Sequence, residues 1–265
     1  MSGTTPVAEQ VRSADGTPIA FERSGAGPAV ILVGGAFADR QATRDLAAAL
    51  STDFTAFGYD RRGRGYSGDT APYEVGREID DLAAVIAAAG GSAALYGISS
   101  GAVLAALATA QGLPVTGLVL FEPPFQVGSH VGVSKDITPQ LIELIAADDR
   151  DGAVATFLSA SVGLPAEQIT AMRSQPMWAG LTALAHTLVY DAIVTAGGRL
   201  PAERLAAITA PTLALDSTGS PEWLRDASRA AAEAVPGGRS VSLDGGYHDV
   251  PPATLAPVLR EFLLG

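Results

Sequence analysis

Apolar positions along the chain fall into short blocks whose period switches between about 2 and about 3.6 residues. Glu9–Ser13 and Ile19–Arg23 read as two strands on either side of the turn signal Asp15-Gly16. Pro28–Val33 is an unbroken apolar run ended by Gly34-Gly35, which suits a strand buried on both faces. Arg40–Leu50 reads as helix, Phe54–Tyr59 as strand, Ile79–Ala89 as helix and Ala93–Tyr96 as a short strand. Gly101–Gln111 is again helical, and Val115–Phe121 is one more buried strand. Strand and helix in strict alternation predict an α/β protein, a mostly parallel doubly wound sheet with helices on both faces.

After Pro123-Pro124 the alternation stops. Residues 126–205 carry only helical patterns, over Thr138–Ala147, Asp151–Ser161, Ala166–Arg173 and Leu181–Thr195. It resumes with Pro211–Leu215 as strand, Glu222–Ala234 as helix, Ser240–Leu243 as strand and Ala253–Leu263 as a last helix. The expected organisation is therefore a core of residues 1–125 and 206–265, interrupted by a helical cap of residues 126–205. Such an insertion, placed at the carboxyl ends of parallel strands, roofs the crevice where these sheets bind ligands.

Composition narrows the function. With 48% hydrophobic side chains in 265 residues the chain can bury a substantial core, which excludes wholesale disorder. Acidic residues outnumber basic ones, 28 to 17, for a net charge of −11, and no basic cluster is longer than Arg61, Arg62 and Arg64. Nucleic acid and anionic membrane are thus poor partners, and a small molecule is the better one. Lack of cysteine removes disulfides, thiol catalysis and thiolate-bound metals. Met1–Gln10 has neither the basic start nor the apolar run of a signal peptide. The apolar stretches Leu82–Ala89 and Gly101–Ala110 fall short of the ~20 residues that span a bilayer, so the expected location is cytoplasmic. No cofactor and no metal is expected, because Gly34-Gly35 lacks a GxGxxG continuation and the three histidines form no HxxxH pair.

The sharpest local feature is Gly97-Ile98-Ser99-Ser100-Gly101, set between a strand and a helix. In a strand-to-helix turn that tight the central residue is held in an unfavourable backbone conformation, and only small neighbours let the chains pass. Ser99 is the candidate nucleophile, and the Ser100 amide at the start of the helix is a candidate oxyanion donor. Its base must be a histidine. His130 and His186 fall in the helical insert, whereas His248, in Gly245-Gly246-Tyr247-His248-Asp249, lies in a loop at the correct edge of the sheet.

These features together resemble the α/β-hydrolase superfamily over almost the whole chain. Pro28–Phe37 resembles its strand and oxyanion loop, Tyr59–Ser67 its DxRGxGxS turn, and the elbow, cap and His248 loop complete the likeness. The resemblance implies the order nucleophile, acid, histidine, which selects His248. It also implies that Asp60 and Arg61–Arg64 form a structural turn rather than an anion site, and that Ala36 supplies the second oxyanion amide. Many members place their acid in a segment written PTLVLxGxxDP, but here Ser220 stands at the acidic position of Pro211–Pro221. Glu122, directly after the strand ending at Phe121, is the preferred acid, as in certain haloalkane dehalogenases and zearalenone-type lactonases; Asp216 is the alternative. A similar lactonase tryptophan packs on substrate, which implies that Met177 and Trp178 of the cap, with Phe37 and Phe125, line the substrate pocket. The expected activity is a serine esterase or lactonase with a Ser-His-Glu catalytic triad acting on a small apolar ester. A cofactor-free perhydrolase or haloperoxidase-like enzyme and a non-enzymatic ligand receptor are the alternatives. Serine at the elbow disfavours the Asp-nucleophile dehalogenases and epoxide hydrolases.

Overall fold

The computed structural model describes residues 8–128 and 136–265; His130 lies outside them. The chain runs through β1 (Glu9–Arg12), β2 (Pro18–Ser24), β3 (Ala29–Val33), α1 (Arg44–Leu50), β4 (Thr55–Tyr59), α2 (Val75–Ala88), β5 (Ala93–Ile98), α3 (Ser100–Ala110) and β6 (Val115–Phe121). The helices α4 (Thr138–Ala146), α5 (Arg150–Phe157), α6 (Ala166–Arg173), α7 (Met177–Ala183), α8 (Leu188–Thr195) and α9 (Ala202–Leu205) follow. The chain then returns to the sheet through β7 (Thr212–Ser217), α10 (Glu222–Ala234), β8 (Arg239–Leu243) and α11 (Pro252–Leu264).

The eight strands lie in the order β1-β2-β4-β3-β5-β6-β7-β8. The β1–β2 and β2–β4 pairs are antiparallel and the remaining pairs parallel. Period-two alternation divides the apolar runs between two cores. In β3, Val30 and Leu32 join Leu46 and Leu50 of α1 and Leu259 of α11. Ile31 and Val33 point the other way, to Leu82 of α2, Leu104 of α3 and Ala231 of α10. A strand covered on both faces reads as continuous hydrophobicity for this reason. The cap has a core of its own, in which Leu141, Val154, Ile169, Trp178 and Leu188 meet. No single helix among the described residues is long and apolar enough to cross a membrane.

The structure departs from the sequence pattern chiefly in the cap. The segment expected as one helix over Leu181–Thr195 breaks into α7, a 3-10 turn at Ala185–Thr187, and α8. There the Thr187 hydroxyl donates to Leu184 O at 2.8 Å and His186 Nε2 to Gly63 O at 3.0 Å, so side chains compete with the helical ladder. The segment Asp151–Ser161 likewise ends α5 early and passes into a π turn, Leu158–Val162, closed by Gly163 at φ 79°. The short α9 carries too few residues to show a period.

Candidate active site

Ser99 sits between β5 and α3 with φ 58° and ψ −126°, outside the regions an L-residue prefers. The turn survives because of its glycines. A Cβ on Gly97 would meet Gly101 O at 2.5 Å, and one on Gly101 would meet Val33 O at 2.4 Å; both obstacles are backbone and cannot swing away. Phe37, Ser99, Glu122 and His248 all have positive φ, and only two other non-glycine residues described do. Strain of this kind persists where surrounding structure over-determines it, and it marks functional sites.

Glu122 leaves the end of β6 fully buried, and its Oε2 lies 2.6 Å from His248 Nδ1. Its other oxygen accepts the Ser217 N–H at 2.8 Å, so β7 holds the carboxylate from the far side. A carboxylate that accepts at Nδ1 puts the ring proton there and leaves Nε2 as a base. The imidazole stacks on Phe121, with ring centroids 5.8 Å apart and planes 13° from parallel. Asp216 is buried one residue earlier than Ser217 and is not the partner of His248. Burial, with the nearby Glu122 charge, raises its pKa against the opposing influence of Ser242, Arg229 and Arg225. Ser220 braces the base from behind. Its hydroxyl accepts the backbone N–H of His248 at 2.9 Å, while Ser217 Oγ donates to Gly246 O at 2.6 Å. Ser217, which ends β7, and Ser220, at the position where the sequence resemblance implied an acid, thus clasp the histidine loop. His186 stays in the cap, bound to Gly63 O.

Ser99, His248, Ala36 and Ser100 border one cavity of about 110 Å³ at the carboxyl ends of β3, β5 and β6. The oxyanion candidates flank the point where strand order reverses, β3 and β5 being neighbours while the chain visits β4 between them. Phe125 lines the cavity as expected. Phe37, Met177 and Trp178 do not. Phe37 packs edge-on against Phe157 with centroids 5.5 Å apart, and it is Phe157 that reaches the cavity. Met177 is 54% exposed, and Trp178 turns into the cap core with its Nε1–H donating to Asp151 at 2.8 Å. Val162, Trp223, Leu224, Tyr247 and Asp191 also line the cavity, and none of them was assigned a role in the site from sequence. Trp223 and Tyr247 were findable, since each stands beside a strand-end loop at the correct sheet edge. Among the described residues no group of three or more His, Asp or Glu side chains converges as a metal site.

Each guanidinium of the arginine-rich turn is paired with a carboxylate, although the buried Arg64 Nε has no hydrogen-bond partner. Arg62 forms two bonds to Asp81, at 2.6 and 2.7 Å, and Arg61 two to Glu78, at 2.5 and 3.0 Å. Asp60 accepts from the Arg40 and Tyr66 amides and from the Arg40 guanidinium. It is a structural turn, with no free cation among these residues to bind an anion.

With this architecture in view, comparison with known proteins places the molecule. The profile of the alpha/beta hydrolase family matches residues 30–258. An alpha/beta hydrolase from Sphaerobacter thermophilus DSM 20745 is 49% identical, with TM-score 0.90 over 96% of this chain and 99% of that one. The chain belongs to the alpha/beta hydrolase family. More distant structures share the fold. The esterase RhEst1 from Rhodococcus sp. ECU1013 is 23% identical, with TM-score 0.71 over 97% of this chain and 98% of that one. The enol-lactonase from Burkholderia xenovorans LB400 is 18% identical, with TM-score 0.74 over 97% and 100%. A comparison with curated proteins returned no match.

Proposed function

We propose that this protein is a serine hydrolase that cleaves an uncharged, apolar carboxylic ester or lactone through an acyl-enzyme. The carrying observation is the 2.6 Å contact between Glu122 and His248, on an imidazole that shares one apolar cavity with Ser99. Nε2 of His248 takes the proton of Ser99 as its oxygen attacks the acyl carbon. The Ala36 and Ser100 amides receive the oxyanion, which the N-terminus of α3 also favours. Nε2–H then protonates the departing alkoxide. Water repeats the sequence on the acyl-enzyme and releases the acid. Glu122 fixes the ring tautomer and stabilises the imidazolium formed at each step.

An uncharged substrate follows from the lining. Among the described residues, apart from His248 and Tyr247, the only ionisable side chain lining it is Asp191, already bound to two arginines, so no described lining cation awaits a carboxylate. The named activities of the esterase and lactonase neighbours lend support to ester chemistry. The test is hydrolysis of p-nitrophenyl butyrate together with fluorophosphonate labelling. The wild-type protein is expected to turn over the ester and label at Ser99, and Ser99→Ala to do neither while keeping its thermal midpoint. Undiminished turnover by Ser99→Ala refutes the assignment.

A further inference from the structure

Both oxyanion candidates are held from behind by charges that cross from the core to the cap. Arg61 and Arg64 are 1% exposed, and each reaches a carbonyl of the loop after β3. Arg61 Nη1 donates to Gly34 O at 3.3 Å, and Arg64 Nη1 to Gly35 O. The Gly35 carbonyl and the Ala36 N–H belong to one planar peptide. A donor seated on that oxygen therefore sets the direction of the N–H and polarises it as a donor.

The two guanidiniums also converge on the cap. Arg61 Nη1 lies 2.8 Å from Asp191 Oδ1, and Arg64 Nη2 lies 2.9 and 2.8 Å from the two Asp191 oxygens. Asp191 belongs to α8, is 1% exposed, and borders the cavity. Its Oδ1 accepts a third bond, from the Ser100 hydroxyl at 2.7 Å, and Arg61 Nη1 also contacts that hydroxyl at 3.2 Å. Burial opposes the Asp191 charge, but Arg64 and Arg61 outweigh it and hold the carboxyl below its usual range. A bare carboxylate this near an oxyanion would be harmful. Here two arginines face Asp191 and Glu78, so the cluster is neutral as a whole.

We propose that Asp191 is a positioning residue: the cap carboxylate orients both oxyanion donors through Arg61, Arg64 and Ser100, so the hole is complete only with the cap seated. The inference rests on the serine-hydrolase reading above. Interactions expressed only in the transition state change kcat and leave KM alone, which separates positioning from substrate binding. A purely structural ion cluster changes stability and neither constant.

Two variants test it, with kcat and KM on p-nitrophenyl butyrate and the rate of fluorophosphonate labelling as readouts. Ser100→Ala keeps the amide and every ion pair but cuts the direct link to Asp191. It is expected to lower kcat and the labelling rate by about 5- to 20-fold, with KM within about twofold. Asp191→Ala removes both acceptor oxygens, cuts all the links and is expected to cost about 50-fold or more in kcat; adding Ser100→Ala to it should cost little further, because the two act as one unit. Asp191→Ala also strips Arg64 of its counter-charge; if that variant does not fold, Ser100→Ala decides alone. Wild-type labelling at Ser99 with unchanged kcat and labelling in Ser100→Ala overturns the inference and spares the hydrolase reading. No labelling of the wild type at Ser99 overturns the hydrolase reading itself.

Discussion

Exchanging Glu122 for glutamine preserves size and reverses the sense of one hydrogen bond. Glu122 Oε1 holds the Ser217 amide at 2.8 Å, and glutamine can keep that bond through its carbonyl oxygen. Its NH₂ group then faces His248 Nδ1 at the position where Oε2 now lies 2.6 Å away. An amide nitrogen only donates, so Nδ1 must accept and the ring proton moves to Nε2. That tautomer cannot take a proton from Ser99. The equivalent exchange in a serine protease lowers kcat by about 10⁴, or about 5 kcal/mol of barrier, with the geometry intact, and the same loss is expected here. The control is Asp216→Asn. Burial raises the pKa of Asp216, so its ionised form costs folding free energy at pH values above the unfolded carboxyl pKa. Removing the charge should leave kcat within about threefold and raise or maintain the thermal midpoint at pH 8, with no gain at pH 3. Steady-state ester turnover and thermal melts of the two variants are sufficient. Activity of Glu122→Gln within tenfold of wild type, or loss confined to Asp216→Asn, refutes the reasoning.

Other expectations follow from the same contacts. Gly101→Ala places a methyl group 2.4 Å from Val33 O and 2.5 Å from Gly34 O, so β3 or the elbow must move; loss of at least about 3 kcal/mol, or of soluble protein, should appear in denaturant titrations. Trp178→Phe deletes the 2.8 Å bond to Asp151 and should cost about 1 kcal/mol of stability with KM unchanged; a large rise in KM would instead put the ring on the substrate. Glu78 and Asp191 are each held below their usual carboxyl range, burial being outweighed by Arg61 for the first and Arg64 for the second. Depressed carboxyls supply stability that is complete above the unfolded pKa and is lost as pH falls through the folded one. The thermal midpoint should therefore drop on acidification below about pH 4, and a flat midpoint from pH 5 to pH 2 would contradict the ion cluster.

Local constraints made much of the fold and the candidate nucleophile legible in the sequence. Alternating periods specify an α/β sheet because a strand covered on both faces and an amphipathic helix impose different spacings. The elbow is legible because its steric demand is met within five residues, Gly97 to Gly101. His248 was accessible from chain order and its position at a strand end. The carboxylate was less so: Glu122 and Asp216 both end buried strands, and only the placement of the histidine loop against β6 and β7 brings one of them to Nδ1. Ser220 shows the same limit, since a residue at the usual acidic position binds a backbone amide instead. In the cap, periodicity locates the helices but not their rotation about the core, so Trp178 was expected at the cavity and faces Asp151. Asp191 is the extreme case. Along the chain it is the one charged residue of a mostly apolar helix, and its ties to Arg61, Arg64 and Ser100 span 130, 127 and 91 residues. Local sterics and period act between near neighbours, whereas the meeting of distant charges depends on how finished elements pack, and that is decided in three dimensions.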